Sequence, residues 1–135
     1  MDPKKAAKQY QTVSTQTSTI NADPHRLIQI LMENALEKLA LAKGHMARNN
    51  IHDKGSNISL ALAVIEALQT SLDKENGKEI AENLHELYGF MIKSLIEANL
   101  HNDIQKIDEV IKVLSIIKEG WDNAPVQLKK SNDNE

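Results

Sequence analysis

A chain of 135 residues without cysteine, carrying 16 Lys and Arg against 19 Asp and Glu for a net charge of -3, is sized for one domain and cannot rely on disulfides or thiolate metal sites. Its charge offers no pull toward phosphate backbones or anionic lipid, and 3% aromatic residues leave little with which to stack single-stranded bases. With no stretch approaching the roughly 18 apolar residues of a membrane span, and no apolar run of signal-peptide type near its start, a cytosolic protein without nucleic acid or membrane insertion is expected.

Residues 1–22 are rich in Ser, Thr, Gln and Lys, with Tyr10, Val13 and Ile20 as their sizeable apolar side chains. That is too little for an independent fold, and a flexible N-terminal arm is expected. Asp23-Pro24 then signals a helix start, the carboxylate capping free N–H groups and the proline suiting the first helical position. Ile28, Leu31, Ala35, Leu39, Ala42 and Met46 follow a three-and-four spacing that predicts a first helix over 24–48. Ile58, Ala61, Ile65, Leu68 and Leu72 mark a second helix, with Asn50 as cap and Asp53 reaching back as in a capping box.

A third helix starting near Gly77 carries Ile80, Leu84, Leu87, Tyr88, Met91, Leu95 and Ala98 on one face. A fourth, capped by Asn102-Asp103, carries Ile104, Ile107, Val110, Ile111, Leu114, Ile117 and Trp121. Connections of a few residues force successive helices antiparallel, so the fold class expected is all-α, an up-down-up-down four-helix bundle over 23–122. Residues 123–135, with PVQLKKSNDNE from Pro125, read as a disordered polar tail.

Two motifs invite chemistry. The stretch NNIHDKGSN at 49–57 resembles the string around a phosphotransfer histidine, whose lysine lies three positions on, along the same helical face. Lys54 follows His52 by two positions, about 200° around the axis, and a helix start explains the string better. A histidine phosphotransfer domain using His52 is the alternative function. Glu82 and His85 fit Glu-x-x-His, but a di-iron bundle needs two such pairs and two further inward glutamates; both side chains are expected at the solvent side. No catalytic residues, metal or cofactor are assigned, and an enzyme is not expected.

Apolar residues exceed what one core stripe needs. Leu27, Ile30 and Leu41 lie off the stripe of the first helix, Leu60, Val64 and Ala67 off that of the second, and Val113 and Ile116 off that of the fourth. Phe90 falls on the otherwise polar side of the third. A wide core stripe would absorb them singly, and a structural bundle could use the same rows to self-associate. Together they suggest an apolar surface for a partner, with Tyr10 and Val13 of the arm lying over the groove until the partner displaces it.

The chain resembles the flagellar secretion chaperones of the FliS family. The resemblance rests on YQTVST from Tyr10, NADPHRLIQILMENALEKLALA at 21–42, LDKENGKEIAENLHELYGFM at 72–91 and LIEANLHNDIQKIDEVIKVLSIIKEGW at 95–121, in that order. Asp23 stands where the family often has serine before the proline, and Met32-Glu33-Asn34 replaces a common Tyr-Asp-Gly. The resemblance implies a four-helix bundle with an N-terminal arm. It further implies binding of the disordered C-terminal region of flagellin in the cytosol, prevention of premature polymerisation, and presentation to the flagellar type III export gate, with no nucleotide hydrolysed. Tyr10 is the one contact carried over by motif.

Overall fold

A computed structural model describes residues 23–124; the expected arm at 1–22, and the expected tail at 123–135 beyond its first two residues, lie outside them. Four helices form: α1 over Pro24–Ala47, α2 over Ile51–Thr70, α3 over Lys74–His101 and α4 over Ile104–Asn123. No strand occurs among the described residues.

Three helix starts are built on aspartate. Asp23 accepts from His25 N at 3.0 Å, Asp73 from the backbone and side-chain nitrogens of Asn76 at 3.2 and 2.7 Å, and Asp103 from Gln105 N and Lys106 N at 3.1 and 3.4 Å. Each cap satisfies donors that have no partner inside the helix, a contribution of about 1 kcal/mol.

At α2 the expected capping box does not form, because Asn50 makes no side-chain cap bond. The left-handed Asn49 (φ 58°) turns the chain sharply, the Asn50 amide bonds the His45 carbonyl at 2.8 Å, and its side chain lies back against His45 Nδ1 at 3.3 Å. Asp53 still favours the first turn by facing the positive end of the helix dipole.

The start of α3 also departs from expectation. Asp73 caps it so that it begins at Lys74, three residues before the expected Gly77, and Lys78 then breaks the regular helix at φ 47° and ψ -120°. That region suits glycine and costs a side-chain-bearing residue of order 1–3 kcal/mol. At Gly77 the backbone allows no side chain either, since an added Cβ would stand 2.7 Å from that of Ala81.

Each helix packs against its neighbours in the chain, and α4 closes the ring on α1; the backbones of the two diagonal pairs stay further apart. The core runs down the axis in layers, with Met32, Leu39, Ile58, Ile65, Met91, Leu95, Ile107 and Leu114 almost wholly buried. Ala35, Ala42, Ala61 and Ala98 have no exposed surface and let the backbones approach closely. Leu72 and Leu84 are only partly buried, and Ile80 and Leu87, expected in the core, are exposed.

Closure is reinforced at both ends. At one, the His25 ring stacks on Trp121 with centroids 4.8 Å apart and planes 9° from parallel. His25 Nε2 bonds the Trp121 carbonyl at 2.9 Å, and Trp121 Nε1 donates to the His25 carbonyl at 3.0 Å. One turn along, Gln29 donates to Asp122 at 2.6 Å, and Lys118 bonds Asp122 at 2.7 Å, holding its carboxyl below the usual carboxylate range. At the other end Lys54 is buried, its ammonium donating to the Asn99 carbonyl at 3.0 Å and Asn102 Oδ1 at 3.1 Å. A cation there faces the negative end of α3.

Replacing Lys78→Gly should raise stability by about 1 kcal/mol, since relief of the strained backbone outweighs the added chain entropy of glycine; an unchanged or lower urea midpoint would contradict the strained geometry. A second expectation concerns Tyr88, whose phenol is pushed up to about 12 by burial. Because this folded value lies above the ordinary one near 10, the contribution is intact below pH 10 and is lost as pH rises toward 12. Over that window the native chain should lose on the order of 2 kcal/mol more stability than Tyr88→Phe; parallel pH profiles would contradict the burial of this phenol.

Candidate partner-binding surface

Polar contacts between helices show which way each face points. On α1, Gln29, Glu33 and Lys43 reach Asp122, Lys118 and Asp108 of α4. Leu27 lies on the other flank of α1 from these polar contacts, and Ile30 and Leu41 lie on its outer face, away from the core line. The first two are half-buried and Leu41 is exposed. On α2, Leu60 and Ala67 are both half-buried.

Val64 corrects the expectation that its whole row is open. It is 6% exposed and belongs to the core, because the small residues of α1 and α2 draw these two helices together and close the seam at its middle.

The seam between α3 and α4 is marked by Glu97 and Lys106, paired at 2.9 Å. That pair lowers the Glu97 carboxyl and raises the Lys106 ammonium from their ordinary values. Phe90 precedes Glu97 by seven residues and Val113 follows Lys106 by seven, so both stand two turns further along the same seam. Val113 is half-buried against the core, whereas Phe90 is 46% exposed and Ile116, one turn beyond Val113, is 60% exposed. Leu87, one turn before Phe90, extends the row. This seam thus carries a row of apolar side chains, of which Val113 lies against the core while Phe90, Leu87 and Ile116 stand in solvent.

By contrast, the seam between α4 and α1 is polar. Its surface depression of about 370 Å³ is lined by Leu36, Ser115, Lys118, Glu119, Asp122 and Asn123, with Lys118 already paired to Asp122. Exposed apolar side chains that the sequence reading passed over lie elsewhere: Ile51 on α2, and Ile96 and Leu100 on α3. Ile96 and Leu100 are a helical turn apart, close to opposite the Met91/Ala98 line, and that angle is the signal that marks them. Tyr10 and Val13 lie outside the described residues.

The chemical motifs fare differently. His52 is exposed in the first turn of α2, but Lys54 is turned inward onto the end of α3, so its ammonium is engaged there and not at the imidazole. Glu82 is exposed as expected. His85 is a correction: it is half-buried, and its Nδ1 is enclosed without a hydrogen-bond partner among the described residues. Gln69 of α2 donates to its backbone carbonyl at 3.0 Å, showing that α2 covers this flank. Among the described residues no group of three or more His, Asp or Glu side chains is placed to hold a metal ion, and no helix is long and apolar enough to cross a membrane.

Known proteins share this pattern along nearly the whole chain. The family described as "Flagellar protein FliS" matches residues 6–128. Flagellar secretion chaperone FliSB of Pseudomonas aeruginosa is 49% identical over 118 residues, covering 87% of this chain and 94% of the relative. Flagellar secretion chaperone FliS of Salmonella typhimurium is 42% identical over 115 residues (84% and 85%), and its namesake in Bacillus subtilis is 25% identical over 113 (84% of each). These are names of chaperones and not of enzymes. On the strength of the family match and of identity this high over most of its length, the chain belongs to the FliS family.

Proposed function

We infer that this protein is a flagellar export chaperone acting in the cytoplasm, where it binds the disordered C-terminal region of flagellin, prevents premature polymerisation and assists delivery to the type III export apparatus, the export gate included. The observation that carries this reading is the furrow between α3 and α4, where Phe90 and Ile116 stand in solvent beside a core that is already filled. Family membership supplies the biological setting.

A helix laid along a furrow engages it through residues three and four apart, as an amphipathic client segment would. Ordering such a segment costs about 2–5 kcal/mol, and burying ~1,000–3,000 Å² in coupled folding offsets that cost. At ~25 cal/mol per Å² of apolar area, no buried ion pair is needed. Leu27, Ile30 and Leu60 extend the proposed contact surface onto the seam between α1 and α2, and Tyr10 and Val13 complete the assigned set. Phosphotransfer through His52 gains no support from Lys54, whose ammonium is engaged at Asn99 and Asn102.

Calorimetry with a flagellin C-terminal peptide should show binding near 1:1, and circular dichroism a gain in helicity beyond the sum of the parts. Phe90→Asp and Ile116→Asp should each weaken binding tenfold or more without loss of fold, while His52→Ala should leave it unchanged. Val64→Asp should unfold the bundle rather than weaken binding selectively, because it places a charge in the core. Absence of both a heat signal and a helicity gain would refute the client assignment, and phosphate uptake lost in His52→Ala would establish the alternative.

A further inference from the structure

Asn76 and Gly77 form the one asparagine–glycine pair in the sequence. In such a pair the side-chain amide lies next to a backbone nitrogen with no side chain to shield it, on a residue free to take the conformation that brings that nitrogen onto the amide carbon. A regular helix prevents the encounter, because it holds the nitrogen away from the amide and engages its proton. Whether the pair reacts is therefore decided by how readily its turn of helix opens.

At the start of α3 that turn is weakly held. Lys74, Glu75 and Asn76 are exposed and Gly77 is half-buried, so little packing secures them. The turn is tied by Gly77 N to the Asp73 carbonyl at 2.8 Å and by the bonds of Asn76 to the Asp73 carboxylate at 3.2 and 2.7 Å. Lys78, at φ 47° and ψ -120°, then separates it from the helix that follows, so the turn can open without unwinding the rest of α3. Opening also lets the strained Lys78 backbone relax. The reactive neighbour is fixed by packing, since a Cβ at position 77 would stand 2.7 Å from that of Ala81.

We propose that Asn76 is a site of spontaneous deamidation, with Gly77 N as its intramolecular nucleophile and the strained turn at Lys78 as what lets the two meet. When the turn opens, Gly77 N loses its proton to solvent base and bonds to Asn76 Cγ; the Cγ–Nδ2 bond breaks and the amide nitrogen leaves as ammonia, closing a cyclic succinimide. Water then opens the ring. Attack at the backbone carbonyl of residue 76 leaves isoaspartate, and attack at Cγ leaves aspartate; the sum is an amide and water giving a carboxylate and ammonium, with no change of oxidation state. Either product puts a carboxylate where Asn76 Nδ2 donates to Asp73 Oδ2, so a bond becomes a repulsion, in a neighbourhood that already holds the exposed Glu75, Glu79 and Glu82. Isoaspartate also lengthens the main chain by a methylene and breaks the helical register. The change removes the cap of α3 and leaves its first turn open. None of this involves the client or depends on its identity.

The test is to incubate the full-length protein at mildly alkaline pH, quench samples in acid, and follow each asparagine by peptide mass spectrometry, with isoaspartate identified by enzymatic carboxyl methylation. Asn76 should convert about tenfold or more faster than Asn83, which is also exposed but lies inside α3 before leucine, and isoaspartate should be the larger product. Lys78→Gly, which relieves the strain, should slow conversion about threefold or more, and Asp73→Ala, which removes the cap, should speed it by a similar factor. The modified protein, separated by its added negative charge, should exchange its amide hydrogens over residues 74–80 about tenfold faster than the unmodified chain. Conversion of Asn76 no faster than that of Asn83 would overturn the proposal. So would a rate indifferent to both Lys78→Gly and Asp73→Ala, or amide exchange over 74–80 that the modification leaves unchanged.

Discussion

Four alanines govern how near the helices lie, and that nearness decides how much else the bundle can hide. Ala35, Ala42, Ala61 and Ala98 are fully enclosed, and around them each helix commits a single line of larger side chains to the axis. A narrow interior is filled by those lines alone. Any apolar residue one flank further round must either lie against the margin of the core, as Val113 does, or remain in water, as Phe90 and Ile116 do. The exposed apolar rows are in this sense a by-product of close packing: the same economy of volume that gives a tight core leaves its neighbours outside.

The two kinds of seam divide the labour of the molecule. Between α4 and α1, ion pairs, hydrogen bonds and the stacked His25 and Trp121 rings fasten the first helix to the last. Exposed ion pairs of this sort contribute little stability each, but they occupy the surface with polar groups and leave no apolar furrow. Between α3 and α4 the polar contacts are sparse, Glu97 with Lys106 being the ion pair that joins them, and apolar rims flank a floor made by the core. One seam is therefore lined by polar groups and the other by apolar ones.

Most of the fold was legible because a period of 3.6 residues is written plainly in all four helices, with aspartates at the starts of α1 and α4. What escaped the sequence depends on distances that no helical wheel contains. Val64 is buried because two particular helices approach closely, not because of its angle. Ile80 and Leu87 are spaced like core residues and yet are exposed, beside Ala81 and Tyr88, which are buried. Asn50 fails as a cap because the backbone at Asn49 sends its side chain backward, and His85 is enclosed because Gln69 and α2 cover its flank. Lys54 was correctly placed on the far side from His52, yet its burial against the end of α3 could not be read from charge pattern, which favours solvent for a lysine.

The stacked rings of His25 and Trp121 also have a practical corollary. The chain holds a single tryptophan, and it sits against an imidazole at the junction of the first helix with the last. Its fluorescence thus comes from one known position, free of contributions from other indoles, and reports whether the two extremities of the bundle are joined. That indole is an optical gauge of the contact, and it requires no label.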